Sequence, residues 1–260
     1  MARHERHPRI WATRQPLKTL VVGAGGTGSK VVIGLKNLHQ GLVALGFPGL
    51  NVVLADGDNV TESNLIRQSF YPSDVGLNKA EVLINRLNLS CGLSWRAYPQ
   101  ALDSSYGRGY EHPELVIDCV DSRGARAEIA AGLENVLYFI SSGNLSHTGQ
   151  VVLGQPLGYY NRQKRDRLRT AYELFPELCD TKVPEDDTPS CSTLEALERQ
   201  DLLVNDFASV IIQNLLWQLL RHGSLTHHGA FYSLKTGSVR SIPIDPNLWR
   251  RLQRHKIVTS

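Results

Sequence analysis

Residues 19–30 read TLVVGAGGTGSK. Gly23, Gly25 and Gly28 make a Gly-x-Gly-x-x-Gly pattern at the end of an apolar run. Glycines placed this way let the backbone approach a phosphate, and the helix that follows offers free N–H groups and the positive end of its dipole. The pattern alone is weak, because a tight strand–helix turn without any ligand has the same glycines. The residues that follow sharpen it. Asp56 closes the apolar run LNVVLAD, where a carboxylate suits ribose hydroxyls, though the step from Gly28 is a long one. Arg67 and Lys79 come next, with the amides Asn64 and Gln68 beside them. Two cations and two amides near a phosphate turn suit a triphosphate better than the diester of a dinucleotide. They can neutralise charge that builds on a departing pyrophosphate.

These residues need a scaffold, and the apolar pattern describes one. Short apolar runs at 17–23, 50–58, 115–122, 135–143 and 149–154 read as strands. Helical spacing follows the glycine turn, from about Ser29 to His39, and recurs over 78–90, with Val82, Leu83, Leu87 and Leu89 on one side. Strands alternating with helices imply an α/β fold with a mostly parallel sheet covered on both faces. Residues 155–192 read as a long surface connection, in which the charged stretch NRQKRDRLRTAYELFPEL predicts a helix and CDTKVPEDDTPSCS is rich in proline, acid and serine. DLLVNDFASVIIQNLLWQLLRHG, residues 201–223, is a nearly all-round apolar helix, destined for the core or a subunit interface, with Gly223 as its stop. The chain thus divides into a basic N-terminal arm (1–16), a nucleotide-binding part (17–154), a crossover connection (155–200), and a C-terminal helix with the remaining sheet and tail (201–260).

The chain has 260 residues and a net charge of +3. Arg3, Arg6, Arg9 and Arg14 against Glu5 account for that excess, so the body is neutral and a nucleic-acid surface is not expected. The arm itself reads as a solvated tail. No uninterrupted apolar stretch is long enough to span a membrane, and the N-terminus lacks the apolar core of a secretory signal. The four cysteines, Cys91, Cys119, Cys179 and Cys191, form no C-x-x-C pair, so a structural zinc site is not expected; reduced thiols and a cytoplasmic location are. His227 and His228, adjacent near the C-terminus, read as exposed.

Taken in order, the motifs resemble a family. GAGGTGS (23–29, with Gly23, Gly25, Gly26 and Gly28), DGDNVTESNLIRQ (56–68), DVGLNK (74–79), DCVDSRGAR (118–126) and SSGNLSHTGQVV (141–152) resemble the ThiF/MoeB/HesA proteins, prokaryotic relatives of ubiquitin-activating enzymes. The match covers residues 19–153; beyond 155 it is loose. Within that family the chain looks most like the ThiF-type proteins of PRTRC gene clusters, which also encode a ubiquitin-like and a conjugating-enzyme-like protein. The resemblance implies a Rossmann-like fold with a long crossover insertion. It implies ATP-dependent adenylation of the C-terminal glycine of a ubiquitin-like protein, with Mg²⁺, by a homodimer. Carried over by motif, Asp56 binds the ribose, Asn64, Arg67 and Lys79 hold the phosphates, Asp121 binds Mg²⁺, and Asp58 and Gln68 orient the others. Arg126 matches a family arginine and receives no role.

The plainer alternatives are a surface salt bridge for Arg67, a solvated helix-start lysine for Lys79 and a helix N-cap for Asp121. Family members that go on to form a thioester carry a cysteine in the crossover segment. Cys191, before the helical stretch STLEALERQ, is the candidate, Cys179 a lesser one, and Cys119 is read as structural. Many relatives flank this region with two C-x-x-C pairs, which this chain lacks. Two other classes remain, a nucleotide-binding oxidoreductase and a non-catalytic scaffold on the same fold. The first leaves Arg67, Lys79 and Asp121 without a purpose, and the second leaves the retained cations unexplained.

Overall fold

The computed structural model describes residues 2–102, 112–162, 167–182 and 200–254. Its strands are β1 (His4–Glu5), β2 (Leu17–Val22), β3 (Leu50–Ala55), β4 (Arg96–Tyr98), β5 (Leu115–Asp118), β6 (Tyr138–Asn144), β7 (Thr148–Gly154), β8 (Ser224–Leu225), β9 (His227–Ser233) and β10 (Ser238–Pro243). Its helices are α1 (Gly26–Ala44), α2 (Lys79–Cys91), α3 (Arg123–Ala131), α4 (Ala171–Leu174), α5 (Val204–His222) and α6 (Pro246–Arg254). An eight-stranded sheet runs in the order β10-β9-β7-β6-β5-β2-β3-β4. The β6-β5-β2-β3-β4 half is parallel, as the short apolar runs imply. The chain leaves β2 for β3 on one side and later returns to β5 on the other. The strand order therefore reverses beside β2, and a crevice opens at the carboxyl ends there.

From β6 onward the sheet is antiparallel. Three residues join β6 to β7, far too few for the crossover a parallel neighbour needs. The core lies between the sheet and the helices. Helix α5 buries Val204, Ala208, Ile212, Leu215, Leu216, Leu219 and Leu220, while Phe207 and Val210 stay exposed. No helix among the described residues is long and apolar enough to cross a membrane.

Several expectations are corrected. In α2 the buried stripe is Ala80, Leu83, Ile84 and Leu87, at helical spacing; Leu89 lies off that face and is 88% exposed. The stretch 161–178 is not one helix. Thr170 starts α4 with a capping box, and Phe175, kept out of the helical region by the proline after it, ends it before the 3-10 turn Pro176–Cys179. Nor do the described residues of 155–175 form a surface connection, since Gln155, Asn161, Arg167, Leu168 and Leu174 are buried. The two Arg167 guanidinium nitrogens grip both oxygens of Glu173. Burial works against that carboxylate, but bonds from Arg167 and the Thr170 N–H, with the Arg167 charge, outweigh it and hold the pKa down at about 2.

The N-terminal arm is docked rather than solvated. β1 pairs with β8, the His4 ring and Tyr138 OH lie 2.7 Å apart, and the His7 N–H donates to the same hydroxyl. Arg6 donates to Leu220 O, at the negative end of α5.

His228 is fully buried, not exposed. Its Nδ1 lies 2.8 Å from Leu153 O, and Trp249 Nε1 donates to Nε2 at 2.9 Å. That pattern suits a neutral ring with its proton on Nδ1. Burial pushes its pKa down to about 4 from an ordinary 6.5. As pH falls below 6.5 the unfolded chain takes up a proton that the folded chain refuses, so stability is full above that value and declines toward pH 4. We expect this ring to remove about 3 kcal/mol over that window. Urea unfolding at pH 7, 5.5 and 4 checks it. His228→Asn keeps the donor to Leu153 and should flatten the slope; an unchanged slope would assign the effect to other histidines.

Candidate functional site

A cavity of about 1010 Å³ opens at the carboxyl ends of β2, β3, β5 and β6. The glycine turn forms one wall. Gly23 has φ +90°, and a Cβ there would lie 3.0 Å from Cys119 O. A Cβ on Gly28 would lie 1.8 Å from Gly23 O, so the turn folds onto its own helix only with glycine at both places. Helix α1 starts after Gly25 with no side-chain cap and no acid in its first turn. Its first N–H groups therefore remain for an anion. Gly23, Gly25 and Gly26 line the cavity, whereas Gly28 packs beneath the turn.

Asp56 follows β3. Its Oδ2 accepts from the Ala24 N–H at 2.6 Å and its Oδ1 from the Asp58 N–H at 2.8 Å, so one carboxylate braces both loops. Burial raises its pKa, against the two backbone bonds. Each oxygen keeps a lone pair for a further donor. Asn78 caps α2 and donates to Asp56 O, which brings Lys79 to the cavity. Lys79 is buried, with Nζ 2.9 Å from the exposed Asp58 carboxylate. The loop between is tied to α1 by Ser29 Oγ, which accepts from the Ser69 N–H, and to α2 by Arg86, which bonds Ser69 O and Asp74. This bracing sets Arg67 and Gln68 on the cavity wall. Arg67 Nη1 donates to Gln200 Oε1 at 2.7 Å, and burial pushes its pKa down.

Asp121 is exposed at the cavity's edge, after β5. Ser122 caps α3 by accepting from the Ala125 N–H, so the Asp121 carboxylate is not spent as the cap. The structure thus brings Gly23, Gly25, Gly26, Asp56, Asp58, Arg67, Gln68, Lys79 and Asp121 to one cavity. It does not bring Asn64, whose Oδ1 accepts from the Thr61 N–H in a local capping box and which does not line the cavity. Cys191 lies outside the described residues. Cys119 lines the cavity half-buried, and burial with the neighbouring Asp118 charge raises its pKa.

Two groups of residues received no role from the sequence. The first centres on Asp118, fully buried, which accepts from Ser141 Oγ and Tyr172 OH; burial raises its pKa against the Arg126 charge. Its signals were the acid closing an apolar strand and the motif DCVDSRGAR, which begins at Asp118 and ends at Arg126. Arg126 acts here, donating to Val120 O and Ser142 O. The second is an amide network on the cavity's far wall, Asn144, Gln200 and Asn205 with Thr27 and Tyr232. No spacing in the sequence marks it.

Known proteins share this framework. UBA4, an adenylyltransferase and sulfurtransferase of Yarrowia lipolytica, is 30% identical over 112 residues, which are 42% of this chain and 26% of the relative. The aligned stretch is thus about a quarter of the relative's length. Among solved structures, PaaA superposes with a TM-score of 0.59 at 18% identity, over 92% of this chain and 68% of PaaA. Escherichia coli MccB with ATP gives 0.58 at 18% identity, over 91% of this chain and 67% of MccB. At that identity the structures establish the shared fold. The sequence model of the ThiF family matches residues 14–248, nearly the whole length, and the chain belongs to the ThiF family.

Proposed function

We propose that the chain uses ATP to adenylate the C-terminal glycine carboxylate of a ubiquitin-like protein. One observation carries the reading. A single cavity collects an uncapped helix N-terminus, a ribose-type acid, two cations and an edge carboxylate from four separate stretches of sequence. In the reaction a carboxylate oxygen of the partner attacks the α-phosphorus of ATP. A new acyl–phosphate bond forms, the bond to the bridging oxygen breaks, and its electron pair leaves with pyrophosphate. The attacker is already an anion, so the protein supplies no base and no nucleophile. Its task is to hold two anions together and neutralise them.

In this reading Asp56 receives the ribose hydroxyls on its remaining lone pairs. The α1 N-terminus, Arg67 and Lys79 receive the phosphates. Gln68 and Asp58 orient the cations, Asp58 through its bond to Lys79. Mg²⁺ fits this donor set, because that ion takes one or two carboxylates and otherwise phosphates and water. Asp121 would hold it, and the bound ion would offset phosphate charge. The adenylyltransferase name of UBA4, and the structures of MccB with ATP and with AMPCPP and MccA, support nucleotide use and a protein or peptide acceptor. A homodimer, a conjugating-enzyme-like partner and a later thioester on Cys191 belong to the same reading.

Purified chain should bind ATP–Mg²⁺ in preference to a nicotinamide dinucleotide. It should catalyse ATP–pyrophosphate exchange only with a partner that ends in a free glycine. Exchange that persists after that glycine is removed would refute the acceptor. Arg67→Ala and Asp121→Ala should each lower exchange by about 10²–10³ while melting curves stay near wild type. Near-normal rates in both, at saturating Mg²⁺, would show that the residues carry other roles.

Cys191→Ala should separate two activities. Exchange should persist while a reductant-sensitive conjugate with the partner disappears from a non-reducing gel. A conjugate lost instead with Cys179→Ala would name that thiol as the acceptor.

A further inference from the structure

Arg67 takes a full positive charge into a half-buried position. Among the described residues no carboxylate lies within ion-pair distance of it. Its bonded partner is neutral, Gln200 Oε1 at 2.7 Å from Nη1, and its Nε is buried without a hydrogen bond. Gln200 is in turn held from several sides. Its Oε1 also accepts from Asn205 Nδ2 at 3.0 Å, and its Nε2 donates to Leu145 O at 3.3 Å. The next residue, Asp201, donates its N–H to Ser146 O at 2.8 Å. Asn205 Oδ1 accepts from Thr27 Oγ1 and from Asn144 Nδ2, and Tyr232 OH donates to Asn144 Oδ1. The amide offered to Arg67 is therefore anchored on α1, α5, the β6–β7 turn and β9.

A carboxylate in this place would bond the guanidinium more strongly, but it would spend the charge and compete with any incoming phosphate. An amide orients the group and leaves the charge unspent. An arginine already held in place loses less side-chain freedom when a ligand arrives. We infer that Gln200 is a positioning residue for the triphosphate: it holds Arg67 on the cavity wall through a neutral hydrogen bond and leaves its charge for the phosphates. This rests on the adenylation reading above, since it takes ATP to be the ligand. Gln200 touches no reacting atom and acts through Arg67.

Calorimetric titration of the full chain with ATP–Mg²⁺ and with adenosine tests the inference. The variants are Gln200→Ala, Gln200→Glu, Arg67→Ala and the two double substitutions. Gln200→Ala should weaken ATP about tenfold, the loss expected of one hydrogen bond to a charged group, and leave adenosine within about twofold. Gln200→Glu should weaken ATP at least as much, because the new ion pair consumes the Arg67 charge; its lost donor to Leu145 O bears on the melting temperature, which is read separately. A purely structural glutamine would weaken adenosine as much as ATP. In the Arg67→Ala background neither Gln200 change should matter further. Unchanged ATP affinity in both single variants would overturn the inference. So would equal losses for ATP and adenosine, or the same loss without Arg67. A wild-type chain that binds ATP while these variants fail the pattern removes the inference alone. A wild-type chain that binds no ATP removes the adenylation reading, and the inference with it.

Discussion

The Asp118 carboxylate has no contact with water, and its partners come from every side of the cavity floor. Ser141 Oγ at 2.6 Å and Tyr172 OH at 2.8 Å donate to one oxygen, the Val120 N–H at 3.0 Å to the other, and Arg126 Nε lies 4.0 Å away. A carboxylate is tolerated in such a place only with a full set of donors, because an unmatched buried charge costs several kcal/mol. The fold around the site follows from meeting that demand. The Val120 bond curls the chain after β5, where Cys119 O meets Gly23 and the next carboxylate, Asp121, reaches the cavity's edge. Arg126 gathers Val120 O and Ser142 O, joining α3 to β6. Tyr172 brings α4, and with it Glu177 and Leu178, over the same cavity. One carboxylate thus sets β5, β6, α3 and α4 relative to one another.

Above that floor the charges are arranged for an anion. The α1 N-terminus has no acid in its first turn. Lys79 is buried, but its partner Asp58 is 75% exposed, so water screens that pair from one side. Arg67 meets an amide. Of the other carboxylates at the cavity, Asp56 is engaged with backbone N–H groups, and Asp121 lies at the edge. Both cations thereby face a partly enclosed space, where a charge acts on a ligand more strongly than at an open surface.

In the parallel half of the sheet β2, β3, β5 and β6 were legible, because each is built on a short apolar run that leads into glycine or acid at the crevice, whereas β4, Arg-Ala-Tyr, has no such run and was missed. The turn to antiparallel pairing after β6 was hidden, since apolar character says nothing about strand direction; only the short link from Asn144 to Thr148 decides it. The N-terminal arm misled because its partners, Tyr138 and Leu220, lie more than a hundred residues away, and local charge spoke only of solvent. His228 misled for the same reason: its place is made by Leu153 and Trp249. At the site, the residues in spaced motifs could be named before the structure. Gln200, Asn205 and Tyr232 could not, as ordinary amides and a tyrosine acquire meaning only from what they face. Asn64 shows the converse, a motif residue that the structure uses to cap a turn.

The thiols bear on how far the chemistry can proceed. A thiol accepts an activated acyl group as its thiolate, so burial and nearby carboxylates disfavour it. Cys119 stands at the cavity but is desolvated and beside Asp118, and its pKa is raised by both. Cys179 is pushed up to about 11 by burial and then by the same Asp118 charge. Burial first, and the buried carboxylate that organises the floor second, disfavour the thiolate at both cysteines. Adenylation is unaffected, since it asks for no thiolate. Transfer to a cysteine asks for a thiolate, which the setting of Cys119 and Cys179 disfavours, whereas adenylation is complete without one.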